Sequence, residues 1–329
     1  MKTILRGAAI AAVKGVLCAA AVVPLLAGAA AYPDRPIQFV INFSAGGATD
    51  INGRLIAKYM SERLGQPLVV ENRAGAAGAI GVNYVTHARP DGYLIGMSGL
   101  GPTVIHALLG RTLGFDPQRD LRPVAFLGSS SMAFVTRAGS PIRSVRDLLE
   151  LARAQPGRLT YGTAGSGTPG HLAAAYLASM AGIEITQVPY KGDSDLLPDL
   201  MAGRIDFASV GMVSVFPLLQ ANKLAGIAIT TKERLPSLPG LPTVAESGVP
   251  GYDAETWNLL VVPTGTDPAI GARLNEVVNG ITGDPQFNAR LLELGSTTRQ
   301  MDPAQLRQFI SSERAKWDKV IRDADIKME

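Results

Sequence analysis

Short apolar runs alternate with segments of helical periodicity along most of the chain. Apolar residues dominate 37–43, and apolar positions then recur at helical spacing through 51–64 until Gly65. Shorter apolar runs follow at 68–71 and 93–98, separated by a Gly/Ala-rich loop and a helical segment at 81–88. This βαβαβ order predicts a parallel, doubly wound sheet.

A second unit repeats the alternation. Its predicted strands are 125–136, 159–161, 185–190, 205–210 and 224–230, and its predicted helices begin at Ser144, follow the strand at 159–161 up to Ala181, and span 193–201. Four prolines between residues 235 and 251 indicate a long connection back to the first unit. The patterns together predict two doubly wound α/β domains around a cleft: residues 32–131 with 251–329, and residues 132–250.

Three helix starts carry recognisable capping residues. Ser144 stands three residues before Asp147, as in a capping box. Asp267-Pro268 and Asp302-Pro303 each place a capping Asp before a Pro at the first helical position. The last of these predicts a helix over 303–324 whose apolar face packs on the first domain.

The N-terminus has the composition of a secretory signal. Lys2, Arg6 and Lys14 precede or interrupt an apolar stretch that ends in small residues at 28–31. Residues 1–31 are therefore predicted to be a cleaved signal peptide, with cleavage after Ala29 or Ala31, and the protein is expected in the periplasm. A retained membrane anchor is the alternative.

Removing this segment changes the charge balance. The whole chain has 31 Lys and Arg against 28 Asp and Glu, and residues 1–31 hold three of the bases and no acid. The mature chain is then formally neutral, so its basic character gives no reason to expect nucleic acid as a partner. The only cysteine, Cys18, lies within the signal, and the three histidines have no metal-ligand spacing. No metal site or disulfide is predicted.

Two glycine-bearing turns each lie between a predicted strand and a predicted helix. Backbone without side chains lets a ligand approach closely, and a following helix offers free N–H groups to an anion. The first turn comprises Phe43, Ser44, Ala45, Gly46 and Gly47, and the second comprises Gly165, Ser166, Gly167 and Thr168. We expect both turns to face one anion-binding cleft.

The second turn also spells G-x-G-x-x-G, the fingerprint of dinucleotide-binding folds. That interpretation requires an acidic residue about twenty positions on, at the end of the next strand. Glu184 has the spacing but precedes the strand at 185–190. An NAD-binding enzyme, or a turn without a ligand, therefore remains only an alternative, and no cofactor is predicted.

Other polar residues are candidates for the same cleft. Thr49 or Asp50 is expected to cap the first helix, and the Asp50 carboxylate could also attract a ligand ammonium and repel a second ligand carboxylate. His171 could reach the cleft or form local hydrogen bonds. The remaining candidates, Ser98, Tyr190 and Ser209, lie in or directly after predicted strands. No nucleophile elbow occurs because Ala164 replaces its first glycine, and no catalytic residue or enzymatic activity is predicted.

Ordered sequence blocks across the predicted mature chain carry a family resemblance. They are Tyr32-Pro33-Asp34-Arg35-Pro36-Ile37, Gly46-Gly47-Ala48-Thr49-Asp50, Leu64-Gly65-Gln66-Pro67, Val70-Glu71-Asn72-Arg73-Ala74-Gly75-Ala76, Pro90-Asp91-Gly92-Tyr93, Tyr161-Gly162-Thr163-Ala164-Gly165-Ser166-Gly167 with His171, Val188-Pro189-Tyr190-Lys191-Gly192, Leu241-Pro242-Thr243-Val244-Ala245-Glu246 and Pro263-Thr264-Gly265-Thr266. With these blocks the chain resembles the substrate-binding proteins of tripartite tricarboxylate transporters, also called the Bordetella uptake gene (Bug) family.

The resemblance implies a monomeric periplasmic binding protein of Venus-flytrap shape. Members capture small organic carboxylates through backbone amides and ordered water, and deliver them to a two-component membrane permease. Carried over, the contacts fall on Phe43 to Gly47 and Gly165 to Thr168. This chain departs from the family at Asn42 and Ser44, where prolines are common, and at Ser209-Val210-Gly211-Met212. A ligand-sensing partner of a signalling receptor is an alternative with the same fold.

Overall fold

In the computed structural model, which describes residues 32–323, three parallel strands begin the fold. The first elements are β1 (Ile37–Ile41), α1 (Ala48–Leu64), β2 (Leu68–Asn72), α2 (Ala79–Thr86) and β3 (Leu94–Gly99). β1 pairs in parallel with both β2 and β3, as the alternating pattern predicts. Gly65 ends α1 with φ 68°, a left-handed conformation that glycine adopts without the cost of a side chain.

Two irregular turns follow the ends of strands in this half. A 3₁₀ turn, Ala76–Gly78, precedes α2, and a π-helical turn, Gly101–Ile105, leads from β3 into the short helix α3 (His106–Leu108). The π-helical turn was not predicted from the sequence. It is fully buried.

One long strand, β4 (Leu121–Arg137), joins the two halves of the structure. Its N-terminal part pairs with the first sheet, and residues from Met132 onward pair with the strands of a second sheet. The elements of the second half are α4 (Val145–Ala154), β5 (Thr160–Thr163), α5 (Pro169–Ala181), β6 (Thr186–Pro189), α6 (Asp193–Met201), β7 (Phe207–Gly211), α7 (Met212–Gln220) and β8 (Leu224–Ile229). β5 pairs in parallel with β6 and β7, so the second half repeats the arrangement of β1, β2 and β3.

The chain then returns to the first half through a strand that the sequence analysis missed. β9 (Glu255–Pro263) lies antiparallel between β3 and β4, so the first sheet is mixed rather than wholly parallel. Residues Leu259 to Val262 of β9 are fully buried. A continuous apolar run of this kind lacks the alternation that marks a half-buried strand.

The C-terminal elements cover the first sheet. They are α8 (Pro268–Thr282), α9 (Pro285–Glu293), β10 (Ser296–Thr297) and α10 (Pro303–Asp323). The Asp267 and Asp302 carboxylates accept hydrogen bonds from backbone N–H groups of the first helical turns, as predicted. Asp284-Pro285 carries the same signal and starts α9, which was not predicted.

The helix α10 packs on the first sheet through aromatic side chains. The Phe309 ring lies edge-on to Phe126 of β4, with centroids 5.3 Å apart, and also contacts Trp257 of β9. The buried Glu313 carboxylate accepts hydrogen bonds from Trp257 Nε1 and Trp317 Nε1. The predicted docking of this helix on the first half is therefore confirmed.

Residues from Arg35 onward cluster into one compact unit, so the division into two domains stays a prediction. The predicted signal peptide, residues 1–31, lies outside the described residues. Within the described part of the chain, no helix is both long enough and apolar enough to span a bilayer.

Candidate functional site

The candidate site is a cavity of about 60 Å³ where the N-termini of four helices meet. α1 contributes Gly47, Ala48 and Thr49, α5 contributes Thr168, Pro169 and Gly170, α6 contributes Gly192 and Asp193, and α7 contributes Gly211. Phe43, Ser44, the segment Gly99–Pro102, Met132, Ala164, Ser209, Thr256 and Asn258 complete the lining. Both halves of the structure therefore contribute to one cavity.

Five of the thirteen predicted site residues line this cavity. They are Phe43, Ser44, Gly47, Thr168 and Ser209. The other eight lie outside its lining, and ligand contacts for them stay predictions: Ala45, Gly46, Asp50, Ser98, Gly165, Ser166, Gly167 and Tyr190. Two of these have clear local roles, since Ser98 Oγ is hydrogen-bonded to Thr103 Oγ1 and the Tyr190 hydroxyl donates to Asp199.

Several amides of the glycine turns are used within the turns themselves. The Gly46 N–H donates to Asp50 Oδ2 at 2.9 Å, and the Gly165 N–H donates to Thr163 Oγ1 at 3.3 Å. The Gly167 N–H donates to His171 Nδ1 at 3.1 Å. The turns hold the helix ends in place, and the donors suited to a ligand are the first-turn N–H groups of the helices, which have no intrahelical partner.

Asp50 has a different position from the one expected. The N-cap of α1 is Gly47, without a side-chain cap, so neither Thr49 nor Asp50 is the N-cap. Burial would raise the pKa of Asp50, but hydrogen bonds from Arg54, the Gly46 N–H and Asn72 together lower it. The Asp50 carboxylate is thereby an ionised anchor for the first turn, and its charge is balanced by Arg54.

His171 serves the second turn in the same way. It is buried, and its Nδ1 accepts the hydrogen bond from Gly167, so the neutral ring carries its proton on Nε2. Burial lowers the pKa of His171 to about 4. His171 is therefore a neutral hydrogen-bond acceptor near neutral pH, which confirms the local role considered from the sequence.

Asp193 is a charged-type side chain of the cavity lining that sequence reasoning missed. Its carboxylate is buried in the cavity wall, where Oδ2 accepts hydrogen bonds from Ser214 Oγ at 2.8 Å and from the Gly211 N–H at 3.2 Å. The backbone N–H of Ala48, at the start of α1, donates to the same carboxylate. Burial raises the pKa of Asp193, although these three donors oppose the shift. The only sequence signal for Asp193 as a site residue is its position directly after Lys191-Gly192, at the start of a predicted helix.

Contacts between the two halves surround Asp193. A Cβ atom added at Gly211 would lie 2.4 Å from Ala48 Cβ, so the starts of α7 and α1 touch closely there. Ser44 Oγ donates to Asp195 Oδ2 at 3.1 Å. A Cβ atom added at Gly101 would lie 3.2 Å from the carbonyl oxygen of Gly167. That contact joins the π-helical turn to the second glycine turn, whereas the two glycine turns share the lining of one cavity, and their joint contact with a ligand stays a prediction.

Two buried polar side chains near the site have no hydrogen-bond partner among the described residues. Ser209 Oγ lies in the cavity lining and is fully buried. Both ring nitrogens of His106 are also unpartnered, and its Nε2 lies 3.6 Å from a Cβ atom added at Gly101. Burial, with a contribution from the Arg111 charge, lowers the pKa of His106 to about 4. Ser209 can donate a hydrogen bond to a ligand anion.

The electrostatics of the cavity come from helix ends rather than from cationic side chains. Among the residues that line it, Asp193 is the one acidic side chain, and there is no Lys, Arg or His. Each helix N-terminus carries roughly half a positive charge, so the convergent ends favour an anion. Across residues 32–323, no cluster of three or more His, Cys, Asp or Glu could hold a metal ion.

Comparison with known proteins identifies relatives over nearly the whole chain. Protein BugT of Bordetella pertussis is 31% identical over 319 residues, which cover 97% of this chain and 98% of BugT. The structure of R. palustris Rpa4515 with adipate is 36% identical, with a TM-score of 0.87, and the match covers 90% of this chain and 99% of that one. MatC from Rhodopseudomonas palustris with bound malate is 30% identical, with a TM-score of 0.82, over 88% of this chain and all of that one.

A family model also matches most of the chain. The matched family is described as the tripartite tricarboxylate transporter family receptor, and the match spans residues 53–326. Members of this family are ligand-binding receptors rather than enzymes. On this evidence the chain belongs to the receptor family of tripartite tricarboxylate transporters, which includes the Bug proteins.

Proposed function

We propose that this protein is a periplasmic solute-binding protein that captures a small organic carboxylate and delivers it to a tripartite tricarboxylate-type membrane transporter. The observation that carries the proposal is the cavity at the convergent N-termini of α1, α5, α6 and α7. It combines elements from both halves of the structure, as a cleft that closes on a ligand requires.

The chemistry of the cavity favours a carboxylate held by neutral donors. The N–H groups of Thr49 in α1 and Gly170 in α5 lie in first helical turns at the cavity, and the hydroxyl of Ser209 is buried without a partner among the described residues. One helix terminus stabilises an anion by roughly 0.3–2 kcal/mol, so several donors must act together. The relatives crystallised with adipate and malate support this ligand class.

The sequence and the family support the proposals that the protein is exported and that it delivers its ligand to a transporter. Residues 1–31 have the composition of a cleavable signal, and a structural relative, BugD, is described as a periplasmic binding protein. Two halves joined by β4 and by residues 230–254 give the frame for two domains that close around the ligand.

A carboxylate screen tests the proposal. Mono-, di- and tricarboxylates, aromatic acids and amino acids are added to the purified mature protein, and thermal shift hits are measured by calorimetry. We expect at least one organic acid to bind with micromolar or tighter affinity. Binding restricted to compounds without a carboxylate would overturn the proposed ligand class.

A second experiment tests delivery. The mature protein is combined with the two membrane subunits of a tripartite tricarboxylate transporter in proteoliposomes, and uptake of the bound acid is measured. Uptake that requires this protein supports transport. Tight binding without uptake would favour the ligand-sensing alternative.

A further inference from the structure

We infer that Asp193 makes the cavity selective for monocarboxylates with an apolar body, because its own carboxyl group takes helix-end donors that a second ligand carboxylate would need. This inference rests on the proposed function and adds the subclass of acid. It assigns to Asp193 the charge-selecting role that the sequence suggested for Asp50.

The Asp193 carboxylate lies in the cavity lining beside the starts of α1 and α7. Asp193 lines the cavity from the start of α6, and a Cβ atom added at Gly47 would lie 3.9 Å from Asp193 Cβ. Its oxygen meets the N–H of Ala48 at the start of α1 and the N–H of Gly211 at the start of α7. A ligand carboxylate would need these same helix ends.

The hydrogen-bond donors around Asp193 are already used by its own carboxyl group. Asp193 Oδ2 accepts hydrogen bonds from Gly211 and Ser214, and the Ala48 N–H donates to the same carboxyl group. A second ligand carboxylate at this end would meet an acceptor that already uses the local donors. In its ionised form Asp193 would also repel that carboxylate at close range in a water-poor site.

The start of α5 also lines the cavity and stays available to a ligand carboxylate. α5 begins with Thr168, Pro169 and Gly170 in the cavity lining, and neither of its neighbouring lining residues, Ala164 and Ser209, carries a charge. The Ser209 hydroxyl is unpartnered among the described residues and can donate to a carboxylate held there. The start of α5 therefore has a free donor for a ligand anion, whereas the donors at the starts of α1 and α7 already serve the carboxyl group of Asp193.

The remaining lining is partly apolar: it includes Phe43, Leu100, Pro102 and Met132 beside the polar residues Ser44, Thr49, Thr256 and Asn258. An aliphatic or aromatic body fits these side chains, and burial of its surface contributes to binding. A hydroxyl or ammonium group at the far end of the ligand could donate to Asp193, whereas a second carboxylate could not.

Matched acids of equal length test the inference. Butyrate is compared with succinate, and hexanoate with adipate, by calorimetry at pH 7.5 on the wild type, Asp193→Asn and Asp193→Ala. We expect the wild type to bind the monocarboxylate of at least one pair tenfold or more tightly than its dicarboxylate. Asp193→Asn removes the charge, and Asp193→Ala also frees the donors, so either variant should lower that ratio at least tenfold.

Glu150→Gln is the matched control. It removes one negative charge at an exposed position of α4, away from the cavity lining, and should leave the ratio unchanged. A wild type that binds the dicarboxylate equally or more tightly would overturn the inference, and so would an unchanged ratio in the folded Asp193 variants. If no carboxylate binds while another class of compound does, the proposed function itself fails, a result distinct from a wrong preference among acids.

Discussion

The hydroxyl of Ser44 donates a hydrogen bond to Oδ2 of Asp195 across 3.1 Å, although 151 residues separate the two along the chain. Ser44 belongs to the first glycine turn, and Asp195 lies in the first turn of α6 in the second half. Next to it, Asp193 receives the N–H of Ala48. The faces of the candidate cleft are thus joined by direct hydrogen bonds.

Removing the Asp195 carboxylate should weaken ligand binding without touching the cavity. An exposed hydrogen bond contributes about 0.5–1.5 kcal/mol, so Asp195→Ala is expected to lower affinity roughly threefold to tenfold. Calorimetry with the tightest acid from the screen measures the change. Glu150→Ala, an exposed acid of α4, serves as control, and equal affinities for both variants would show that this contact does not support the bound state.

Ligand should also change the shape of the protein if the halves move as domains. β4 and residues 230–254 connect the halves, and contacts such as Ser44–Asp195 form only when they approach. Small-angle scattering is expected to give a smaller radius of gyration at saturating ligand. An identical radius with and without ligand, in the wild type and in Asp195→Ala, would speak against hinge closure.

Substitution of Gly47 tests whether the first glycine turn forms part of the ligand site. Its backbone is extended, with φ −82° and ψ 170°, so valine is compatible with its conformation. The nearest atom to an added Cβ is the Ser44 carbonyl oxygen at 3.5 Å, an ordinary contact. Gly47→Val should therefore keep a melting temperature within a few degrees of wild type while reducing affinity at least tenfold.

Gly240→Val is the matched control, because that glycine is exposed and an added Cβ meets nothing within 4 Å. Gly167 is less suitable for this test. Its φ of 78° disfavours any side chain, so valine there would strain the fold whatever its effect on the ligand. Normal binding by folded Gly47→Val would remove the first turn from the site.

The local signals of the sequence were reliable, whereas long-range contacts were not. Asp267 and Asp302 cap their helices because capping depends on neighbours two or three residues away. The prediction that Asp50 could be the N-cap of α1 was wrong. Its carboxylate accepts hydrogen bonds from Arg54 of the same helix and from Asn72 of β2. β9 was missed because a strand buried on both faces has no alternating pattern. Asp193 could be recognised as part of the site only in the structure, where the starts of α1 and α7 donate hydrogen bonds to its carboxyl group.

The two buried histidines should make stability pH-dependent. The pKa values of His106 and His171 fall from 6.5 to about 4 on folding, so the unfolded chain binds more protons between these values. Their stabilising effect is complete above pH 6.5 and is lost as the pH falls toward 4. Each should lower the free energy of unfolding by about 2 kcal/mol between pH 7 and pH 5.

Urea unfolding of the wild type and His106→Gln at pH 7 and pH 5 measures this effect. The wild type should lose about 2 kcal/mol more than His106→Gln over that interval, since only one histidine differs. The His106 ring nitrogens have no hydrogen-bond partner among the described residues, so replacement of the ring isolates the cost of its protonation. Parallel losses in both proteins would show that the buried ring does not titrate as described.

If helix N-termini and neutral donors hold the carboxylate of the ligand, an organic acid should bind far more tightly than its methyl ester. Calorimetry is performed with the tightest acid from the screen and with the ester of the same carboxyl group. Because the cavity lining has no cationic side chain, loss of the ligand charge removes the attraction of the helix ends and the charge-assisted hydrogen bonds together. The ester should bind at least about 100-fold more weakly, a loss of roughly 2.7 kcal/mol in binding free energy. Equal affinities for acid and ester would contradict it.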